Sequence, residues 1–195
     1  MTNLTPKQFL LTSAVLLILG LGWIGISAGL PGGTDTPGIP APKAGFLAPD
    51  FTLTTLEGEQ VTLSDLRGQA VIVNIWASWC QPCRAEMPAL QTVYDEYADQ
   101  GLTLLAVNAT SQDSVAAAAG FIDELGLDFP VLLDTDGEVG RLYQVSALPS
   151  TFFIYPDGSI AEVVFGGPMA EALLRTRVER LLEDCLLYTS PSPRD

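Results

Sequence analysis

Cys80 and Cys83 stand three residues apart where an apolar run gives way to a helical pattern, and this junction constrains the fold more than any other feature of the chain. The run Ala70-Val71-Ile72-Val73-Asn74-Ile75-Trp76 is rich in β-branched residues, as a buried parallel strand is. From about Gln81 to Gln100, apolar residues recur at Met87, Leu90, Tyr94 and Tyr97, and this three-and-four spacing predicts a helix lying on a sheet. Cys80 then falls at the helix N-terminus, where unpaired backbone N–H groups and the positive end of the helix dipole favour a thiolate over a thiol. Cys80 is the expected nucleophile. Cys83, one turn further in, is the expected buried partner that resolves a mixed disulfide. Pro82 fits this order, because a first-turn residue has no N–H partner to lose and the ring stiffens the loop between the sulfurs.

Other readings of the pair are weaker on chemical grounds. A zinc half-site needs two more ligands, and the chain has no histidine and only one further cysteine, Cys185. A purely structural disulfide closing so short a loop would be a poor staple. No metal and no cofactor is expected.

The body of the chain alternates strand and helix patterns. Phe51–Thr54 and Gln60–Leu63, around Glu57-Gly58, read as a hairpin, and Leu102–Asn108 as a second apolar strand. A helix is predicted over Ser114–Leu125. Strands are predicted at Val131–Leu133, Thr151–Tyr155 and Ile160–Phe165, the last two joined by a Pro156-Asp157-Gly158 turn, and a closing helix runs from Met169 to about Asp184. Such alternation argues an α/β fold with a central mixed sheet flanked by helices.

Ahead of this body, Phe9–Leu30 contains no charge, and its 22 residues at helical rise match a hydrocarbon core of about 30 Å. A membrane anchor is expected. The competing reading, a cleaved signal peptide, normally has an apolar region of only about 7–15 residues, although Ser27-Ala28-Gly29 would serve as a poor cleavage site. Lys7 precedes the span and Asp35 is the first charge after it, which favours a cytoplasmic N-terminus (residues 1–8) and an extracytoplasmic domain. Residues 31–45 are rich in proline and glycine and read as a linker, leaving residues 46–184 as the domain. The final stretch, residues 185–195, breaks the helical pattern and resembles sequencing-adaptor read-through, so it is read as non-native and Cys185 carries no expected role.

Several motifs in order resemble the membrane-anchored thioredoxin-like proteins of the TlpA and ResA type: Ala48-Pro49-Asp50-Phe51-Thr52-Leu53, Leu63-Ser64-Asp65-Leu66-Arg67-Gly68, Trp79-Cys80-Gln81-Pro82-Cys83-Arg84-Ala85-Glu86-Met87-Pro88, Phe129-Pro130-Val131-Leu132-Leu133-Asp134 and Ala147-Leu148-Pro149-Ser150-Thr151-Phe152-Phe153-Ile154. The resemblance spans about Gly45 to Glu183. It implies a thioredoxin-like fold with an N-terminal hairpin, and makes the strand and helix between Leu102 and Leu133 the family's insertion. It also implies that Pro149 is a cis proline packed beside the cysteines, with the Leu148 backbone pairing with a bound substrate strand. Trp79, Pro82, Leu148 and Pro149 are thus the expected substrate-binding residues.

Glu86 is a further residue carried over from the resemblance, as a carboxylate near the cysteines that tunes their proton transfer. Thioredoxin uses an aspartate six residues before its first cysteine, and that position here is Asn74, which cannot take up a proton. The alternative for Glu86 is a solvated helix carboxylate, and the sequence does not fix its burial.

Charge bounds the partners. Between Phe46 and Cys185 there are 21 Asp and Glu against 6 Arg and no Lys, which disfavours nucleic acid and anionic lipid headgroups and attracts basic or unfolded protein segments. The expected function is a monomeric, extracytoplasmic thiol-disulfide oxidoreductase that reduces protein disulfides, for example apocytochrome c cysteine pairs, and is re-reduced by a membrane electron donor. Two alternatives remain at this stage. One is a Cu(I)-delivery module using the same cysteines, although copper chaperones of similar fold add a histidine. The other is a peroxiredoxin, which shares the Ala48-Pro49-Asp50-Phe51 opening but normally has threonine three residues before its cysteine, where this chain has Ala77.

Overall fold

The computed structural model describes residues 39–188. The elements are β1 (Thr52–Thr55), β2 (Gln60–Thr62), β3 (Ala70–Trp76), α1 (Gln81–Tyr97), β4 (Leu102–Asn108), α2 (Val115–Leu125), β5 (Val131–Leu133), α3 (Glu138–Leu142), β6 (Ser150–Ile154), β7 (Ile160–Phe165) and α4 (Glu171–Tyr188). The strands form one seven-stranded sheet in the order β2-β1-β5-β4-β3-β6-β7. β3 pairs in parallel with β4, and β4 with β5, while the hairpin β1–β2 and the flanking β6 and β7 run antiparallel to their neighbours. The sheet is mixed, as expected, and the fold is thioredoxin-like.

The period-2 alternation of β3 sorts its side chains between two cores. Val71, Val73 and Ile75 join Leu105, Phe152, Ile154 and Tyr143 on one face. Ala70, Ile72 and Trp76 join Met87, Leu90 and Val93 of α1, Phe121 of α2 and Leu174 and Val178 of α4 on the other. Asn74 shares the parity of Ile72 and Trp76, so the strand delivers a fully buried amide to the face covered by α1. Thr151, opposite Asn74 in the β3–β6 register, lands there too.

Several boundaries differ from the sequence reading: the hairpin strands run Thr52–Thr55 and Gln60–Thr62, α2 starts one residue late at Val115, and β6 ends one residue early at Ile154. The linker was expected to last to Gly45, but Ala41 N–H bonds to Leu47 O, Gly45 N–H to Ile160 O, and Pro40 and Leu47 form a β-bridge, so the chain is tied to the domain from Pro40 onward. The short helix α3 was not expected. Its five residues are too few to show a period, and Gly137 and Gly140 weaken the helical signal; Asp134 supplies the missing support by accepting from Val139 N (3.1 Å) and Gly140 N (2.9 Å). The strand expected at Thr151 begins at Ser150. The closing helix begins at Glu171 rather than Met169 and its backbone continues to Tyr188, past the break expected at Cys185.

Among the described residues, no helix is long and apolar enough to cross a membrane. The expected anchor Phe9–Leu30, the segment 1–8, linker residues 31–38 and tail residues 189–195 lie outside the described residues.

Candidate active site

β3 ends at Trp76 in the middle of the sheet, and the turn Ala77–Cys80 reverses directly into α1. Cys80 N–H closes that turn on Ala77 O (3.1 Å). Cys80 is the N-cap of α1, with an extended backbone, and its Sγ accepts from the backbone N–H of Cys83 at 3.2 Å. The expected thiolate position is therefore met by a helix N–H donor as well as by the helix dipole. Cys80 and Cys83 form a disulfide, with Cα atoms 5.2 Å apart. Cys83 is fully buried and Cys80 retains 4% exposure, so the outer sulfur belongs to Cys80.

The expected residues separate into two groups around this disulfide. Trp79, Cys80, Pro82 and Leu148 line one open cavity of about 610 Å³. Trp79 is 56% exposed there, an unusual state for an indole, and its Nε1 is held by Gln112 O at 3.0 Å. The Leu148–Pro149 bond is cis, as the resemblance implied. Cys83, Glu86 and Pro149 are not on the cavity wall.

Glu86 belongs to the interior group. It lies on the same face of α1 as Cys83, one turn on, and is 1% exposed, which decides against a solvated helix carboxylate. Its Oε1 accepts from Asn74 Nδ2 at 3.0 Å and its Oε2 from the backbone N–H of Met169 at 2.7 Å; Asn74 Nδ2 also donates to Thr151 Oγ1 at 2.9 Å. Burial raises the Glu86 carboxyl above the ordinary value of 4.5, opposed by the Met169 N–H and the Asn74 amide, which favour the ionised form. The loop between β7 and α4 closes over this carboxylate. Gly167 sits so near that an added Cβ would stand 2.8 Å from Glu86 Oε2 and 2.7 Å from Pro149 Cγ.

Sequence reasoning missed the far wall of the cavity, which comes from Asp134, Gly137, Arg141 and Gln144 around α3. Gln144 has φ 51°, a left-handed conformation uncommon for a non-glycine residue. The one available signal was the Asp134-Thr135-Asp136-Gly137 turn composition. It also missed Thr151 and Met169, which reach Glu86 through strand register and backbone alone. Among the described residues, no group of three or more His, Cys, Asp or Glu is placed to hold a metal ion.

A disulfide at the N-cap of the helix that follows the central strand of a mixed sheet, with a cis proline opening the strand beside it, defines a thioredoxin-like thiol-disulfide oxidoreductase. Residues 44–163 match the AhpC/TSA family. The thiol-disulfide oxidoreductase ResA of Oceanobacillus iheyensis is 43% identical over 73% of this chain and 72% of that protein, and ResA of Geobacillus kaustophilus is 34% identical over 91% of this chain and 95% of that protein. Among solved structures, a putative thiol:disulfide interchange protein DsbE from Chlorobium tepidum superposes with TM-score 0.67 at 32% identity, covering 72% of this chain and 98% of that one. StoA from Bacillus subtilis superposes with TM-score 0.60 at 30% identity, covering 67% and 96%. The chain belongs to the TlpA/ResA-type thiol-disulfide oxidoreductases.

Proposed function

We propose that this oxidoreductase works outside the cytoplasmic membrane, anchored by Phe9–Leu30, as a reductant of protein disulfides such as the cysteine pairs of apocytochrome c. The observation that carries the chemistry is the placement of Cys80 Sγ at the N-cap of α1, accepting the Cys83 N–H. In the reduced chain, the Cys80 thiolate attacks one sulfur of a substrate disulfide and displaces the other as a thiolate. The Cys83 thiol then loses its proton and attacks Cys80 Sγ. This releases the substrate as a dithiol and leaves the Cys80–Cys83 disulfide, so two electrons pass to the substrate. Glu86, on the same helix face as Cys83 and with its carboxyl raised by burial, is the group suited to take that proton. A membrane electron donor then returns the pair to the dithiol.

The anchor is supported by the uncharged length of Phe9–Leu30, and its orientation by Lys7 before the span and Asp35 after it. The surplus of acidic side chains favours basic or unfolded substrate segments at the Trp79–Leu148 cavity.

The test is the equilibrium reduction potential of the Cys80–Cys83 pair in defined thiol–disulfide buffers, with C83S used to trap mixed disulfides in membranes. A potential near the about −270 mV of thioredoxin, with trapped extracytoplasmic cysteine proteins, supports the reductant. A potential near the about −120 mV of DsbA makes the protein an oxidant. The absence of any reversible couple, with tight Cu(I) binding, would turn the reading to metal delivery.

A further inference from the structure

We propose that Asp113 is a positioning residue for disulfide exchange, holding the Ser78–Trp79 turn so that the indole stands at the cavity mouth beside Cys80. Asp113 lies in the loop between β4 and α2, far in sequence from the cysteines. Its Oδ2 accepts from Ser78 N (2.7 Å) and Asn108 Nδ2 (2.9 Å); its Oδ1 accepts from Ser78 Oγ (2.7 Å) and Ser114 N (2.9 Å). One carboxylate thus gathers four donors, two of them from the residue at the centre of the turn that Cys80 closes. Such charge-assisted bonds are short and directional, and here they join a half-buried loop to the residue two before the nucleophile.

The neighbouring bonds point the same way. Ala109 N donates to Trp76 O (2.8 Å) and Trp79 Nε1 to Gln112 O (3.0 Å), so the β4–α2 loop grips the turn at its start, its middle and its exposed side chain. Asn108 is itself fixed from both ends, because its Oδ1 accepts from Thr110 Oγ1 at 2.9 Å. A carboxylate with two acceptor positions on the turn and two on its own loop ties one to the other and holds geometry. Its object is Trp79, an exposed indole that otherwise has its rotamers free and that lines the cavity with Cys80 and Leu148. The consequence concerns docking: a macromolecular disulfide must meet the ordered indole, whereas a small reagent needs only the thiolate. The proposal rests on Cys80 being the attacking sulfur.

The test compares two reactions of the reduced full-length chain in detergent: reduction of insulin disulfides, and alkylation of Cys80 by iodoacetamide across pH, read by peptide mass spectrometry. Displacement of a docking element by an ångström costs about 10²-fold, so D113A is expected to lose about that much kcat/KM for insulin while the pH midpoint of Cys80 alkylation stays in place. D113N keeps one acceptor oxygen but turns its NH₂ toward a backbone N–H, and is expected to recover only part of the loss. Parental insulin reduction by D113A would overturn the proposal, and so would a shift of the alkylation midpoint that tracks the insulin rate, since Asp113 would then act on the thiolate itself. If D113A does not fold, S78A carries the test: a reduced insulin rate at an unchanged midpoint supports the clamp, and a parental rate sinks it. A parent chain that leaves insulin oxidised refutes the functional reading instead. The clamp is then judged by hydrogen exchange at the Ser78 amide, where loss of protection in D113A or S78A supports it and unchanged protection overturns it.

Discussion

Replacing Gly167 with alanine is the sharpest perturbation available to the interior half of the site. A methyl group at this position stands 2.7 Å from Pro149 Cγ, 3.1 Å from Pro149 Cδ and 2.8 Å from Glu86 Oε2, against a comfortable carbon separation of about 3.5–4.0 Å. The proline ring is closed and buried and cannot swing aside, so the backbone of the β7–α4 loop must move. Overpacking of this kind costs about 1–3 kcal/mol. The same movement draws Met169 N away from Glu86 Oε2, now 2.7 Å apart, and a hydrogen bond to a charged acceptor is worth about 1.5–3 kcal/mol. Alanine stiffens the unfolded chain and returns about 0.4–1 kcal/mol. The net expectation is a loss of about 1.5–5.6 kcal/mol. Gly120, inside α2 with nothing within 4 Å of an added Cβ, is the control, where alanine should stabilise by about 0.8–1 kcal/mol. Urea unfolding of the oxidised chain, followed by tryptophan fluorescence, compares the two. A Gly167→Ala midpoint at or above the parent's would refute the argument that Gly167 is confined between Pro149 and Glu86.

The remaining predictions concern neighbouring polar contacts. Glu86→Gln puts an amide NH₂ against one of two converging donors, Asn74 Nδ2 or Met169 N, and should cost about 1–3 kcal/mol. Because the folded-state value for Glu86 is raised, the folded chain holds a proton that the unfolded chain releases; this contribution is full below 4.5 and is lost as pH rises through the folded value. The stability gap between parent and E86Q should therefore be wider at pH 4 than at pH 8, by urea titration at each pH. Asn74→Asp sets a second carboxylate about where an amide now lies 3.0 Å from Glu86 Oε1; with about 5 kcal/mol of repulsion at an effective dielectric of about 20, the pair should retain a proton, and stability should fall steeply toward pH 8. Asp134→Ala removes the acceptor for the Val139 and Gly140 N–H groups at the start of α3; a loss of about 1–2 kcal/mol is expected, with a raised KM for insulin because α3 carries Arg141 of the cavity wall.

Much of the site's covalent logic was legible in order along the chain. The β-branched run ending at Trp76, the helical spacing after Gln81 and the cysteines between them specify a dithiol on a helix start, because each is a local pattern with a local physical cause. The cis proline was legible only through the resemblance. The burial of Glu86 was not legible at all, since a glutamate three residues beyond Cys83 can face either water or sheet until the crossing of α1 over β3 is known. The pairing of Pro40 and Ala41 with Leu47 and of Gly45 with Ile160 was hidden for the same reason: proline and glycine composition reports the absence of a period, not the absence of a partner.

What the sequence determined by itself was the class of fold and the placement of the cysteine pair at a helix start, both of which follow from short-range periodicity. What only the tertiary structure decided was which polar groups meet. Asn74, Thr151, Glu86 and Met169 N are separated by up to 95 positions, and parity on β3, register with β6 and closure of the β7–α4 loop bring them together. The Asp113 contacts to Ser78 arise likewise, from the parallel pairing of β4 with β3, which sets the end of one strand beside the end of the other. Hydrogen bonds between elements depend on fractions of an ångström in three dimensions, and no pattern along one dimension encodes them.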